Sequence, residues 1–440
     1  MPIKITLRPD LPLGTWQGIG GALTEATAYN FSKLSPKKQQ KFLDAYYGQD
    51  GLEYHWVRLS IGSNDFCLEP FEYTKKRNLS DFSITHDKKW LLPMLKTVLA
   101  KKSLKIVAAP WSPPRCLKLL PEPRHGVPLA PWNYQRYAKY LKKWLDAYAA
   151  EGININYLSP QNEPHAAQKW ESCFYSFRAQ RRLAYKYLAP MLKDYKTQLL
   201  LWDHNKKELP KVADQLLRPK NLPSTPTANP KSPPDSNSKI AGLCFHWYDG
   251  TCPDEMWQVR QNYPNAMLVS SEMCCGFSPY DEEKWANAAK PYYYELFSDI
   301  NSGASAFIDW NMLLSWHGGP SYCKNYVTSP ILLNASADDF ILTPIYHALK
   351  KFAHLFPAGS EVVRCDNPSD QIAVIARKLF SNSSRSHPTY EALIVNVSDD
   401  PAPKTVSIQL TPTAESNAPT QAAQTLSLKP LELRRLTFQQ

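Results

Sequence analysis

The stretch WNYQRYAKYLKKWLDAYAAEGININYLSPQNEP, Trp132–Pro164, contains a helix, a strand and a stiff turn in succession. Tyr137, Leu141, Trp144, Leu145 and Tyr148 recur at spacings of three and four, the pattern of an amphipathic helix ending near Ala150. Ile153–Ser159 is a short apolar run, and Pro160 and Pro164 bracket the turn that follows. Proline fixes its own φ and disfavours helix in the residue before it, so Glu163 leaves the strand on a constrained backbone.

The same strand-then-helix unit repeats on both sides of this stretch. Candidate strands are Trp16–Leu23, His55–Ile61, Leu104–Ala109, Ile153–Ser159, Gln198–Trp202, Ile240–Trp247, Met267–Ser271 and Ala304–Trp310. Helical patterns lie between or after them, including one opened by Ser35-Pro36 and others over Tyr175–Tyr195, Asp281–Asn301 and Thr343–Phe356. Eight such units predict an α/β fold, a closed (β/α)8 barrel rather than an open sheet. Past Gly359 the pattern changes to β runs over Glu361–Arg364, Ile372–Arg377, Ala392–Val397, Thr405–Leu410 and Thr425–Phe438 with no helix between them. This predicts an antiparallel β-sandwich, with Ile3–Leu7 as an added strand. The expected domains are therefore 1–14 (a strand of the β domain), 15–358 (barrel) and 359–440 (β-sandwich). Pro219–Lys239 is dense in Pro, Ser and Asn and reads as a surface insertion on the barrel face away from the strand C-termini.

Composition narrows the function. Hydrophobic residues make up 43% of the 440, enough for a large core, and no window is long and apolar enough to span a membrane. The formal charge of +11 is spread over dyads such as Lys37-Lys38, Lys88-Lys89, Lys142-Lys143 and Arg181-Arg182. Dyads beside apolar helical positions are solvated helix faces, so no nucleic-acid partner is expected. Met1–Leu7 has no signal-peptide pattern, and nine cysteines without CxxC spacing predict neither disulfides nor a zinc site, so a cytoplasmic location is expected.

Barrel enzymes carry their chemistry at the C-terminal ends of strands. Those ends are Arg58 and Asp65, Trp111, Asn162 and Glu163, Asp203 and His204, His246 and Tyr248, Glu272, and Trp310. Glu163 and Glu272 end the fourth and seventh strands. An ionised acid ending a buried strand costs several kcal/mol unless paired, so each needs a reason to be there. Two carboxyls about 5–5.5 Å apart hydrolyse a glycoside with retention, one as acid/base and the other as nucleophile. Their mutual repulsion is expected to raise one of them, and that group becomes the acid. Asn162 suits a hydrogen bond to the sugar 2-hydroxyl. The mechanism requires no metal or other cofactor, and the spacing of Asp203, His204 and His246 matches no metal motif. Cys274-Cys275 reads as small apolar filler beneath the barrel mouth, and His165 is open between cleft and solvent.

At these residues the sequence resembles glycoside hydrolase family 30, the glucosylceramidase-like retaining β-glycosidases. The resemblance rests on Gly18-Ile-Gly-Gly-Ala-Leu-Thr-Glu25, Val57–Phe66, Ala109-Pro-Trp-Ser-Pro113, Gln161-Asn-Glu-Pro164, Phe245-His-Trp-Tyr248, Ser271-Glu272, Asp309-Trp-Asn311 and Gly318-Gly-Pro320 with Asn325, in order. It implies a barrel with a β side domain built from both chain ends, Glu163 as acid/base and Glu272 as nucleophile. It also implies that Asp65, Trp111, Trp310 and Asn325 grip the non-reducing sugar. Arg58, His246 and Tyr248 would support the nucleophile, Tyr248 by a hydrogen bond that keeps it ionised. Cys116 stands where many members carry a second Trp. Gln168–Cys173 and Trp202-Asp-His-Asn205 are more like the bacterial branches than the lysosomal enzyme. The expected substrate is a β-glycoside cleaved from its non-reducing end, β-glucosides and glucosylceramide first. A β-xylosidase, a β-fucosidase and an endo-β-1,6-glucanase are the alternatives, ahead of a non-catalytic carbohydrate-binding protein.

Overall fold

The computed structural model describes residues 1–218, 239–276, 287–334, 338–379, 388–411 and 422–439. Strand β1 (Ile3–Thr15) leads into eight further strands: β2 (Ile19–Ala22), β3 (Trp56–Ile61), β4 (Lys105–Pro110), β5 (Tyr157–Leu158), β6 (Gln198–Asn205), β7 (Ile240–His246), β8 (Met267–Glu272) and β9 (Ala306–Asp309). β2 to β9 pair in parallel with their neighbours, and β9 returns to β2, closing the barrel. All eight strands expected from the sequence are present, and Trp132–Ala150 forms a helix over Tyr134–Ala150 after a short 3-10 turn.

The barrel interior is packed, not hollow. Trp56, Val107, Leu200, Cys244, Val269, Ala306 and Ile308 fill it, with Tyr157 stacked on Trp56 at 5.3 Å between ring centroids. This filling needs Gly20, because a Cβ there would lie 2.4 Å from Trp56 Cβ and from its carbonyl oxygen. A larger core of aromatic and aliphatic side chains, including Trp144, Tyr148, Phe297 and Phe352, holds the helices against the outside of the barrel.

Three further short strands, β10 (Leu313–Ser315), β11 (Ile331–Leu333) and β12 (Phe340–Leu342), form a small sheet after β9 that the sequence reading did not anticipate. At three residues each they are too brief for alternation to register. The second domain comprises β1 and β13 (Glu361–Asp366), β14 (Ile372–Leu379), β15 (Thr389–Asn396), β16 (Lys404–Leu410), β17 (Gln424–Leu428) and β18 (Leu433–Gln439), in the order β17-β16-β1-β13-β14-β15-β18. One apolar cluster draws on all seven strands, from Ile5 and Leu7 to Leu428 and Phe438, so the sheet curls around its own core. The edge strands nearly meet, with Gln424 Nε2 donating to Thr437 O at 2.8 Å.

Three details differ from the sequence reading. β1 and β16 run parallel within an otherwise antiparallel sheet. The run Thr425–Phe438 is two strands, broken where Glu432 N–H bonds Lys429 O. The helix over Tyr175–Tyr195 is Phe177–Arg182, a π-helical stretch Leu183–Leu188 and Ala189–Met191, because Pro190 inside it withholds a backbone donor. Of the insertion Pro219–Lys239, all but Lys239 lies outside the described residues, as do 281–286 of the helix expected over Asp281–Asn301. The rest of that helix runs Ala289–Asn301.

Candidate active site

Backbone geometry at the barrel mouth is set by residues in the left-handed region that L side chains rarely occupy. Glu163 (φ 45°) and Asn311 (φ 59°) follow strands β5 and β9, and Trp202 (φ 82°) and Asp203 (φ 54°) lie at the bulge in the C-terminal half of β6. The Glu163 amide donates to Asp203 O at 2.8 Å, so two such residues brace each other. The β6–β7 pairing slips between Trp202 and His204, and the β7–β8 pairing slips between Phe245 and His246. Bulges of this kind re-aim side chains, and here they affect Asp203, His204 and His246.

The side chains converge on Arg58, which is wholly buried. Its Nη1 donates to Glu272 Oε2 at 2.5 Å and to Ser271 O at 3.1 Å. Its Nη2 donates to Asp203 Oδ2 at 2.9 Å and to Asn162 Oδ1 at 2.8 Å. The bond to Asn162 occupies that side chain's oxygen, so the group Asn162 can offer a ligand is its Nδ2 amide. Asp203 also accepts from the Ser271 hydroxyl at 2.6 Å and faces His246 Nε2 at 3.1 Å. Burial pushes the Asp203 carboxyl up, but the Arg58 charge, His246 and Ser271 outweigh it and hold it well below the usual range.

Glu163, His246 and Glu272 come from three different strand ends and each offers an atom within 4.8 Å of the others. The two carboxylates therefore face each other across one small gap, close enough for double displacement. Tyr248 donates its hydroxyl to Glu272 Oε1 at 3.0 Å, the bond expected from the resemblance. Gln168 Nε2 reaches Glu163 Oε2 at 3.2 Å.

One expectation is corrected. Burial raises the Glu163 carboxyl, yet His246, followed by His204 and Gln168, holds it below the usual glutamate value. Burial lowers His246, but the charge of Glu272, the bond to Asp203 and the nearby Glu163 carboxylate push it up to about 9. An imidazolium between the two acids relieves the repulsion that was to raise one of them. His246 Nδ1 is 3.4 Å from Glu163 Oε1, so a proton held by the imidazole is within reach of that acid.

Away from the acids, Asp65 accepts from Asn325 Nδ2 at 2.7 Å, and Trp111 stacks on Trp310 at 5.3 Å with the Arg58 guanidinium 5.1 Å from the Trp111 ring. Together with Glu163, Asn162, Tyr248 and Glu272 they line an open cleft of about 410 Å³. Burial pushes the Asp65 carboxyl up to about 8. The structure thus gathers Asp65, Trp111, Asn162, Glu163, His246, Tyr248, Glu272, Trp310 and Asn325 at one mouth, with Arg58 beneath them. Gln168, Trp170, Asn205 and Trp247 also line the cleft and were missed. Gln168, Trp170 and Trp247 lie in loops, where no periodic pattern marks which face a side chain takes, and Asn205 ends β6 beyond its bulge. Cys274 and Cys275 are buried free thiols, and Cys274 Sγ sits 3.3 Å from the Tyr248 hydroxyl. His165 packs among Phe174, Phe177 and Trp202.

A closed barrel with two carboxyls from different strands at this spacing defines a retaining glycoside hydrolase acting on β-linked glycosides. The chain belongs to glycosyl hydrolase family 30, whose TIM-barrel domain matches residues 16–356. It is 28% identical over 384 residues to the lysosomal acid glucosylceramidase of Mus musculus, covering 82% of this chain and 72% of that protein. It is 23% identical over 387 residues to an endo-1,6-beta-D-glucanase of Neurospora crassa, covering 82% and 74%. The crystal structure of SrfJ from Salmonella typhimurium superposes with a TM-score of 0.83 at 26% identity, covering 99% of this chain and 92% of that one. Among the described residues no helix is long and apolar enough to cross a membrane.

Proposed function

We propose that the chain is an exo-acting β-glucosidase of the glucosylceramidase type, with Glu163 as acid/base and Glu272 as nucleophile. The observation that carries this reading is the Asp65–Asn325 pair beside the Trp111–Trp310 stack, a polar and aromatic set suited to one terminal sugar. The likeness to the mouse glucosylceramidase supports it.

Glu272, oriented by Arg58 and Tyr248, attacks the anomeric carbon while Glu163 protonates the departing oxygen. The proton is at hand on His246 and reaches Glu163 by a short shift. Esterification removes the Glu272 charge, and Glu163 then draws a proton from the incoming water. Asn162 Nδ2 meets the 2-hydroxyl, a contact that strengthens as charge develops on the ring.

The test is turnover of nitrophenyl β-glucoside, xyloside, fucoside and galactoside, with product stereochemistry followed by NMR. Glucoside is expected to be preferred, with retention. Glu163→Gln is expected to lose about 10²–10⁴-fold in kcat, the scale of positioned acid–base chemistry, and Glu272→Gln, which removes the nucleophile, at least as much. Undiminished turnover in either variant removes the assignment. The second reading, endo-cleavage of β-1,6-linked glucan, is favoured by the Neurospora relative and by the openness of the cleft. Oligomers rather than glucose from a polymer digest would establish it.

A further inference from the structure

The gap between the two acids has the makings of a second kind of site. His246 is fully buried, and its two ring nitrogens have different surroundings. Nε2 faces the Asp203 carboxylate at 3.1 Å. Nδ1 makes no hydrogen bond and points between the acids, 3.4 Å from Glu163 Oε1 and 3.7 Å from Glu272 Oε1. We propose that Glu163, His246 and Glu272 form an inhibitory site for a divalent first-row transition metal, Zn²⁺ first, which sits where the anomeric carbon of the sugar would lie.

Zinc bonds to imidazole nitrogen and carboxylate oxygen are about 2.0–2.2 Å long, so neighbouring ligand atoms in a tetrahedron lie roughly 3.3–3.6 Å apart. One edge, 3.4 Å, already has this length, and a second, 3.7 Å, is just beyond it. The third, between Glu163 and Glu272, spans no more than 4.8 Å, and small rotations of two carboxylate ends close it. Asp203 behind His246 repeats the carboxylate–histidine–metal arrangement: it keeps the proton on Nε2 and leaves the Nδ1 lone pair for the ion. Three carboxylates, Glu163, Glu272 and Asp203, surround the gap against the single guanidinium of Arg58, so the local charge favours a cation. His204 Nδ1, also without a hydrogen bond and 3.9 Å from Glu163 Oε1, is within reach as a fourth donor. An imidazole ligand and so few oxygens select zinc-like ions over Mg²⁺ and Ca²⁺, which take six or more ligands, almost all oxygen. Binding displaces the proton that the imidazole otherwise carries, which leaves to solvent.

The inference needs only the placement of three ligand atoms and is independent of which acid plays which catalytic role. The test is isothermal titration of ZnCl₂ into the wild-type chain and into His246→Ala, Glu272→Gln and the exposed-loop control His125→Ala, after circular dichroism has shown each to be folded. One zinc per wild-type chain is expected, with affinity at least tenfold weaker in His246→Ala and in the near-isosteric Glu272→Gln but kept in His125→Ala. In steady-state assays zinc is expected to compete with nitrophenyl β-glucoside, with activity restored by EDTA. Absence of a stoichiometric binding event overturns the proposal. So does zinc affinity unchanged in both site variants, which would place the ion elsewhere, on the cysteines for example. Zinc binding with the expected variant pattern but no turnover of any glycoside would uphold this site while removing the proposed function.

Discussion

Arg58 shows how much of the site depends on one side chain. It is buried, it makes four hydrogen bonds, and two of its partners are carboxylates with little access to water. Its planar fork serves Glu272 and Asp203 at once, which an ammonium cannot do from a single point. Arg58→Met would leave both acids buried with His246 as their sole neighbouring cation among the described residues, and removing one partner of such a pair costs about 3–5 kcal/mol. A fall of that size in the unfolding free energy from urea denaturation is expected, with loss of hydrolysis. Arg58→Lys should recover part of the stability and little of the activity. A stable, active Arg58→Met would mean that the acids are neutral or hydrated in the fold. Glu163 and Glu272 could be picked out from the sequence because an acid ending an apolar strand is costly and therefore conspicuous. Asp203 was visible as a strand end, but its position as the shared acceptor of Arg58, His246 and Ser271 depends on a bulge that no residue pattern announces. Nor could a reading of the two acids as an isolated pair foresee His246 between them, since strands far apart in sequence bring the three together.

At the scale of elements, the barrel strands were legible because each is an apolar run flanked by helical periodicity, and the fold satisfies both patterns. Loops were not legible, which is why Gln168 and Trp170 went unnoticed. The junction between the domains is likewise a matter of side-chain bonds rather than pattern. Asn301, the last residue of helix Ala289–Asn301, donates from Nδ2 to Cys365 O at 2.8 Å and accepts from the Cys365 amide at 2.7 Å, pairing with β13 as another strand would. Arg364, next along that strand, donates to Asn301 O and lies over the Trp257 ring at 4.3 Å. Asn301→Ala removes the two side-chain bonds and leaves buried backbone groups unpaired, a cost of about 1–3 kcal/mol. Thermal unfolding should show the loss, and amide exchange at Cys365 should quicken while that of the barrel strands holds. Unchanged exchange at Cys365 would mean that apolar packing alone seats the sheet.

For the whole molecule, the balance of buried ionisable groups fixes the sign of its response to pH. Burial pushes both the Asp65 and the Glu295 carboxyl up to about 8, even though Lys206 lies against Glu295. A carboxyl that holds its proton more tightly when folded stabilises the fold fully below its unfolded value near 4, and the contribution is lost as pH rises through the folded value. His55 and His204, pushed down to about 4 by burial, act in the opposite sense, but only up to the unfolded imidazole value near 6.5. Lys118, lowered by burial to about 8, acts only above that. Between pH 6.5 and 8 the carboxyls therefore prevail. The urea midpoint is expected to fall across that interval, by on the order of a few kcal/mol in unfolding free energy. A rise would mean that both groups are already ionised in the fold.

The position of β1 has a further consequence. Although it precedes the barrel in the sequence, β1 lies in the interior of its sheet, hydrogen-bonded on one side to β13 and on the other to β16. On the ribosome neither neighbour exists until the whole barrel has emerged, a wait on the order of tens of seconds at ~5–20 residues per second. For that time Ile5 and Leu7 belong to a solitary strand with nothing to bind, open to any chaperone that recognises extended apolar peptide. The β domain is then completed late, when the strands that follow the barrel emerge and close on β1 from both sides.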